Sequence, residues 1–378
     1  MGYGRGAYAQ GVPQSGDLST SNTATVEITG PGTFETQDGF SVVNTTTSPP
    51  GNDGIRITSL SGDDGDTIFT DNYSSRITAQ GNSGVYAKHE SNGLMRITTS
   101  GRIEGRQRGI FAQHYSDGRL EITAEGDVLA TEGAALRAVS DFDTPGSMSI
   151  TSTGTLTGAS APGLSVSHRS TDDLRVDAAT IVGGSVSFSS GAASIFNYYG
   201  GSSTVNISGD VTGTERHGIY IYNGSGTANL SLSSSGTVEA PEIGILADNN
   251  GSGALSITTT GTVTGTSDYG IYARATGVGA AGDEDLAGNS LDGVSLAITA
   301  NNVTGGTDGI NADNSGAGAL TITTTGLVTG GTQRGVFATQ NGSGDTTIDL
   351  NAGVQAADDG VRVDQEADGR VNVDVTGN

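Results

Sequence analysis

The sequence contains no cysteine and no tryptophan, and its single lysine is Lys88. Without thiols, disulfide bonds, thiolate metal sites and cysteine nucleophiles are all excluded. Positive charge is scarce, because 17 Lys and Arg residues face 41 Asp and Glu residues for a net charge of −24. Such a chain is repelled by phosphate backbones, so we expect no nucleic-acid partner. Long apolar runs are also missing, so no segment is expected to span a bilayer.

Glycine is abundant, with 62 residues, and it marks an internal repeat. The phrase from Gly244 to Gly270 returns almost unchanged from Gly309 to Gly335. The glycines that open the copies are Gly84, Gly109, Gly218, Gly244, Gly270, Gly309, Gly335 and Gly360. Most intervals are 25 or 26 residues. A fixed period of this length predicts a solenoid in which stacked copies share one core.

Each copy carries three short apolar segments, which we call stations. In the copy that opens at Gly244 they are Ile245–Ala247, Leu255–Ile257 and Val263. Their alternation with period two, bounded by turn residues, predicts strands. Glycines flank Val263, and glycine is unfavourable inside the helical return of a leucine-rich repeat. We therefore predict an all-β fold, a parallel β-helix (β-solenoid) with three short strands per coil of about 25–26 residues.

The repeat divides the chain into regions. Residues 1–22 are predicted to be a flexible N-terminal segment, and residues 23–83 irregular opening coils. Residues 84–378 are predicted to form the repeat β-helix. Within it, the repeat is degraded over 164–217 and interrupted by a loop insertion at 276–293, which separates the first and second stations of one coil.

The stations of the opening segment are harder to assign, because no clean copy precedes them. We interpret Val26–Ile28 as a second station and Gly32–Phe34 as a third. Phe40–Val42 is interpreted as a first station.

Alternation assigns Ile245 and Ala247 to the core and Leu246 to the outside, which defines an exposed column down the stack. The predicted ligand-binding residues in this column are Tyr86, Phe111, Tyr220, Tyr272 and Phe337. An exposed aromatic column is typical of a face that binds a glycan, a protein or a lateral neighbour. It also fits plain cross-strand packing of residues that favour β-sheet.

A second column follows the first station at the corner of the coil. We call it the corner column, and its members are His89, His114, Ser140, His168, Asn223, Asn249, Asn314, Gln340 and Gln365. Imidazole is a common metal ligand, so a metal ladder is one interpretation. A ladder of hydrogen-bonded corner residues is favoured, because no carboxylate recurs beside the histidines. We expect no metal and no cofactor.

The repeat resembles those of the passenger domains of bacterial autotransporters. The residues that carry the resemblance are Gly244, Ile245, Ala247, Leu255, Ile257, Thr258, Thr259, Gly261, Val263 and Gly265. It implies a right-handed β-helix at an extracellular or bacterial cell-surface location, with adhesion or biofilm roles. It also implies a C-terminal outer-membrane β-barrel. No run of amphipathic strands follows the repeats, and the last coil has no cap, so we expect the chain to be a fragment or to end against another domain.

The predicted function is a non-enzymatic surface stalk or adhesin. Its expected partners are proteins or glycans of a host or neighbouring cell, with possible self-association. One alternative is a self-assembling filament subunit. Another is a polysaccharide-active β-helix enzyme, which needs converging carboxylates. The acidic clusters Asp172–Asp173 and Asp283–Asp285 are explained equally well by turns, so we predict no catalytic residue.

Overall fold

The structure is a computed structural model. It describes residues 25–36, 41–45, 53–62, 64–71, 76–140, 146–184, 190–277 and 294–377. The described residues contain no helix, and thus no helix long and apolar enough to cross a membrane. The predicted N-terminal segment 1–22 and nearly all of the predicted insertion 276–293 lie outside the described residues. The chain divides into two compact units, residues 1–183 (unit 1) and residues 184–378 (unit 2).

Unit 1 consists of six coils of three strands each. In chain order its strands are β1 (Val26–Thr29), β2 (Gly32–Glu35), β3 (Ser41–Asn44), β4 (Ile55–Ser59), β5 (Thr67–Asp71), β6 (Arg76–Ala79), β7 (Ser83–His89), β8 (Leu94–Thr99), β9 (Arg102–Gly105), β10 (Arg108–His114), β11 (Arg119–Ala124), β12 (Val128–Ala130), β13 (Leu136–Ser140), β14 (Met148–Ser152), β15 (Leu156–Gly158), β16 (Leu164–His168), β17 (Leu174–Ala178) and β18 (Ile181–Gly183). Every third strand belongs to the same parallel sheet: sheet A starts with β1, sheet B with β2 and sheet C with β3.

Unit 2 repeats the same plan. In chain order its strands are β19 (Gly191–Asn197), β20 (Ser203–Ile207), β21 (Val211–Gly213), β22 (His217–Asn223), β23 (Leu230–Ser234), β24 (Val238–Ala240), β25 (Ile245–Asn249), β26 (Leu255–Thr259), β27 (Val263–Gly265), β28 (Ile271–Ala275), β29 (Leu296–Ala300), β30 (Val303–Gly305), β31 (Ile310–Asn314), β32 (Leu320–Thr324), β33 (Val328–Gly330), β34 (Val336–Gln340), β35 (Thr346–Leu350), β36 (Val354–Gln355), β37 (Val361–Gln365) and β38 (Val371–Val375). Strands β19, β20 and β21 open sheets A, B and C of this unit. The predicted parallel β-solenoid with three strands per coil is confirmed in both units, and its right-handed winding stays a prediction.

The opening segment corrects our station assignment. Val26–Thr29 lies in sheet A and pairs with Ile55–Ser59, so it is a first station and not a second. Gly32–Glu35 lies in sheet B, and Ser41–Asn44 lies in sheet C. All three are short alternating strands, so one coil alone does not reveal which station each represents. The register with the following coil decides it.

The core follows from the alternation. In β25, Ile245 and Ala247 are fully buried, and Leu246 is half-buried on the outside. Ile245 pairs with Ile271, so equivalent apolar side chains stack directly above one another from coil to coil. Leu255 and Val263 complete the inside of the same coil. One coil therefore buries only a few apolar side chains, and the stack supplies the continuous core.

The glycine that opens most coils, such as Gly244, is explained by close approach between coils. A Cβ atom on Gly244 would lie 2.6 Å from the carbonyl oxygen of Gly270 and 2.6 Å from Cγ1 of Val263. No other residue type fits there without movement of the backbone. The period of the sequence thus records a point where successive coils approach closely.

Candidate functional site on the outward face of sheet A

Within each unit, the pairing register places the predicted ligand-binding residues in a column on the outward face of sheet A: Tyr86 and Phe111 in unit 1, and Tyr220, Tyr272 and Phe337 in unit 2. In unit 1 Tyr86 pairs with Phe111. The outer column is Glu27, Arg56, Tyr86, Phe111, Arg137 and Ser165 in unit 1, and Ser194, Tyr220, Leu246, Tyr272, Asn311, Phe337 and Arg362 in unit 2. The five aromatic side chains are half-buried. Their role in binding stays a prediction.

In unit 1, arginine side chains contact the aromatic rings of the outer column. The guanidinium carbon of Arg56 lies 5.0 Å from the ring centroid of Tyr86. Those of Arg108 and Arg137 lie 4.2 Å and 5.8 Å from the centroid of Phe111. Tyr86 and Phe111 contact each other edge to face at 5.6 Å. This part of the column is therefore a mixed surface of guanidinium groups and aromatic rings, held together by cation–π contacts.

A hydrogen-bonded chain flanks these rings. The Tyr86 hydroxyl donates to Oε1 of Gln113 at 2.6 Å, and Nε2 of Gln113 donates to the Tyr115 hydroxyl at 2.6 Å. Burial raises the pKa of Tyr86, and the nearby charges of Arg56 and Lys88 oppose that shift. The phenol is thus a neutral hydrogen-bonding group at physiological pH.

Unit 2 carries a group of five aromatic residues, which we call the aromatic cluster: Phe196, Tyr198, Tyr199, Tyr220 and Tyr222. Phe196 meets Tyr220 edge to face at 5.1 Å, and Tyr198 lies 5.8 Å from Tyr222. Tyr199 is 44% exposed, whereas the others are half-buried. Aromatic rings of this kind present large apolar surfaces whose hydroxyl groups remain able to hydrogen-bond.

The sequence reasoning found only Tyr220 of this cluster. It followed only the first outward position of each strand, although a five-residue strand has two, at its second and fourth residues. Phe196 pairs with Tyr222 at the second outward position, and Tyr198 follows directly after β19. Tyr269 was also missed; it precedes β28 and stacks on Tyr272 at 5.3 Å. Following both outward positions would have identified Phe196 and Tyr222.

Beyond the aromatic cluster, the second outward position carries charged residues. Nε and Nη2 of Arg274 donate to both carboxylate oxygens of Asp248, at 3.1 Å and 2.5 Å. Asp248 is only 8% exposed. Burial raises the pKa of Asp313, while Arg274 opposes that shift. Arg274 therefore neutralises Asp248 on this face.

The corner column lies inside the solenoid. Asn249 is fully buried, its Nδ2 donates to the carbonyl of Gly253 at 2.7 Å, and its Oδ1 accepts from the amide of Gly251 at 3.3 Å. Asn314 makes the same type of contact with Gly318, at 2.9 Å. In this part of the column the favoured prediction, a ladder of hydrogen-bonded corner residues, is confirmed.

The histidines occupy the same buried corner in unit 1. Nδ1 of His89 is hydrogen-bonded to the Ser59 hydroxyl at 2.8 Å, and its ring stacks on that of His114 with centroids 5.0 Å apart. Nε2 of His168 donates to the carbonyl of Asp172 at 2.9 Å. Burial lowers the pKa of His89 to about 4. Burial and then the neighbouring His89 lower that of His114 to about 3.

Carboxylates elsewhere serve turns between coils. Oδ1 of Asp66 accepts the amide of Leu94 at 2.9 Å, and Oδ1 of Asp127 accepts the amide of Thr155 at 3.0 Å. Within the described ranges, no group of three or more histidine and acidic side chains is placed to hold a metal ion. The acidic cluster Asp283–Asp285 lies outside the described residues. The outward face of sheet A carries aromatic, amide and guanidinium groups.

The comparisons with known proteins found no relative: no family model, no curated protein and no solved structure matches this chain.

Proposed function

We propose that this chain is a non-enzymatic extracellular surface stalk or adhesin of the autotransporter-passenger type. Its binding surface is the outward face of sheet A, and its partners are proteins or glycans on a host or neighbouring cell. The observation that carries the proposal is the coil-by-coil alignment of aromatic residues on that face, with the aromatic cluster of unit 2 as its densest part. Exposed aromatic surface of this kind is typical of interaction sites.

The concentration of aromatic residues supports a binding role over plain sheet packing. The chain has only 11 tyrosines and 8 phenylalanines. The outward face of sheet A in unit 2 and the turns next to it carry eight of these 19 residues: Phe196, Tyr198, Tyr199, Tyr220, Tyr222, Tyr269, Tyr272 and Phe337. The outward positions of sheet B carry small polar residues such as Ser256 and Thr258. If outward aromatics served only β propensity, both faces would have them.

The roles of the carboxylates support binding without turnover. Asp248 is bound by Arg274, and Asp66 and Asp127 accept backbone amides. Glycosidic cleavage by acid–base catalysis needs two carboxyl groups that converge on one bond. Acids committed to ion pairs and turns do not supply that arrangement.

Adhesion of cells to beads coated with the intact chain tests the proposal. We expect Tyr220→Ala and Tyr222→Ala together to reduce the number of retained epithelial or bacterial cells at least severalfold, because they remove the centre of the aromatic cluster. Thr258→Ala, on the outward face of sheet B, is the matched control and should leave adhesion unchanged. Circular dichroism checks that each variant remains folded. Equal adhesion of the tyrosine variant and the control would refute the assignment of the face.

Incubation with neutral and acidic polysaccharides, with and without Ca²⁺, tests the enzyme alternative. The proposal predicts that chain length stays constant, and measurable cleavage would contradict it. Analytical ultracentrifugation over a range of concentrations tests self-association, which the sequence predicts as a further property.

A further inference from the structure

Basic residues are scarce in this chain, and most of those described are neutralised. Twelve ion pairs join lysine or arginine side chains to acids among the described residues. Arg108 and Arg137 form no ion pair with any described residue. In a chain with 41 acidic residues, two neighbouring guanidinium groups without a carboxylate partner need an explanation.

These two arginines share one aromatic ring. Their guanidinium carbons lie 4.2 Å and 5.8 Å from the ring centroid of Phe111, and we call Arg108, Phe111 and Arg137 the arginine clamp. Arg137 is exposed and Arg108 is half-buried. Burial, followed by the charge of Arg137, lowers the pKa of Arg108, and the charge of Asp53 opposes that shift. The clamp thus places two guanidinium groups against one aromatic ring, and Arg137 is open to solvent.

Unit 2 contains a second copy of the same arrangement. Arg334 lies 4.2 Å and Arg362 lies 5.4 Å from the ring centroid of Phe337. In this copy both charges are neutralised, because Asp308 pairs with Arg334 at 3.6 Å and Asp364 pairs with Arg362 at 3.0 Å.

In the positions directly next to the clamp arginines, unit 1 lacks the acids that unit 2 has. In unit 2, Ile310 pairs with Val336. Asp308 and Arg334 each stand two residues before these partners, so the two occupy equivalent positions in neighbouring coils. In unit 1, Arg108 occupies the position of Arg334, and Ser83, which pairs with Arg108, occupies the position of Asp308. Asp364 follows Arg362 by two residues in the same strand, and Val139 holds that position after Arg137. The arginine clamp of unit 1 therefore keeps the cations without an ion pair. Asp53, which stands at the step of Ser83 one coil further away, is paired with Arg56.

We propose that the arginine clamp binds the carboxylate of a terminal acidic sugar, of the uronic or sialic acid type. Two guanidinium groups offer the planar hydrogen-bond donors that suit a carboxylate. The neighbouring ring of Tyr86 and the phenol–amide chain through Gln113 provide an apolar surface and polar groups for the sugar ring. The inference rests on the proposed function and names a ligand class for one part of its binding face.

The charge of the chain favours a single carboxylate over a polyanion. The net charge is −24, so each additional negative group of a polyanionic chain would approach an acidic surface. Screening limits this repulsion to roughly 8 Å at physiological ionic strength, which lets one terminal carboxylate reach the clamp. Binding should therefore weaken with added salt and should not increase with the number of charges on the glycan.

Isothermal titration of the intact chain tests the inference with three probes: a sialylated trisaccharide, the matching neutral disaccharide without the acidic sugar, and a short glutamate-rich peptide. We expect binding of the first probe and at least tenfold weaker binding of the other two. Arg108→Gln and Arg137→Gln should each weaken binding of the trisaccharide by roughly tenfold to a hundredfold, the usual loss for a hydrogen bond to a charged group.

Two further variants separate the clamp from general charge effects. Val139→Asp places a carboxylate beside Arg137, as Asp364 stands beside Arg362, and should weaken trisaccharide binding as much as Arg137→Gln does. Arg175→Gln removes the same charge from sheet B, where Arg175 is paired with Asp177, and should leave binding of the trisaccharide unchanged. Equal binding of the neutral disaccharide, stronger binding of the peptide, or unchanged binding by Val139→Asp would overturn the inference. The tyrosine variant of unit 2 in the adhesion assay reports on the proposed function separately, so the two failures are distinguishable.

Discussion

The histidines of the corner column make the stability of unit 1 depend on pH. His89 and His114 are 0% and 1% exposed, and their rings stack. Their pKa values fall from 6.5 to about 4 and about 3, with burial as the main cause in both cases. The folded chain therefore takes up these protons only in strong acid, whereas the unfolded chain takes them up near pH 6.5.

The sign of the effect follows from this difference. Well above pH 6.5 both states are neutral at these positions, and neither histidine makes stability depend on pH. Between pH 6.5 and about 4 the unfolded state binds more protons, so the free energy of unfolding decreases as the pH falls. Each histidine contributes about 1.4 kcal/mol per pH unit, which amounts to about 5 kcal/mol for both by pH 4.5.

Substitution of both histidines by asparagine should remove this dependence. Asparagine occupies the equivalent corner in unit 2, where Asn249 and Asn314 hydrogen-bond to the main chain. Hydrogen exchange between pH 7 and pH 4.5, corrected for intrinsic rates, should show protection lost in β7 and β10 of the natural chain but retained in β25 and β31. In the variant, β7 and β10 should keep their protection at pH 4.5. Equal acid sensitivity of the natural chain and the variant would refute the reasoning.

Three further substitutions test the fold through its free energy of unfolding, measured by chemical denaturation. Asn249→Ala removes a buried side chain that satisfies main-chain groups of the next turn, and should cost about 2 kcal/mol; no loss would contradict its role. Gly244→Ala places a Cβ atom 2.6 Å from a carbonyl oxygen and should cost at least about 2 kcal/mol, whereas Gly360→Ala, whose nearest neighbour is 3.2 Å away, should cost clearly less. Arg274→Met leaves the buried carboxylate of Asp248 without its partner and should cost about 3 kcal/mol; an unchanged midpoint would show that the pair is not needed.

The architecture was predictable because a solenoid repeats the same sequence pattern in every coil. A parallel β-solenoid is indicated by the period of 25 or 26 residues, by the alternation at Ile245–Ala247 and by the glycine at Gly244. Because the pattern recurs in many coils, a deviation in one coil does not change the prediction. The opening coil was assigned wrongly because no clear copy of the repeat precedes Val26–Ile28. The sequence of a four-residue strand does not show which sheet the strand joins. Only the pairing of Val26–Thr29 with Ile55–Ser59 shows that it belongs to sheet A.

The candidate site was predictable only in part. Alternation and register placed Tyr86 beside Phe111 correctly, because both follow from local period-two geometry. The arginine clamp could not be predicted in the same way. Arg108 lies at the start of its strand, and its contact with Phe111 depends on how the chain turns before β10. That the clamp arginines have no ion pair becomes apparent only from comparison with Arg334, which is paired with Asp308 in unit 2.

Hydroxyl-radical footprinting of the intact chain, free and bound to a cell layer, tests most directly that the outward face of sheet A is the binding surface. Tyrosine and phenylalanine side chains report the contact, because they oxidise readily when exposed. The account predicts that Tyr199, Tyr222 and Tyr272 become protected on binding, while Thr258 on sheet B does not. Unchanged oxidation of these tyrosines on cells that have bound the chain would contradict it.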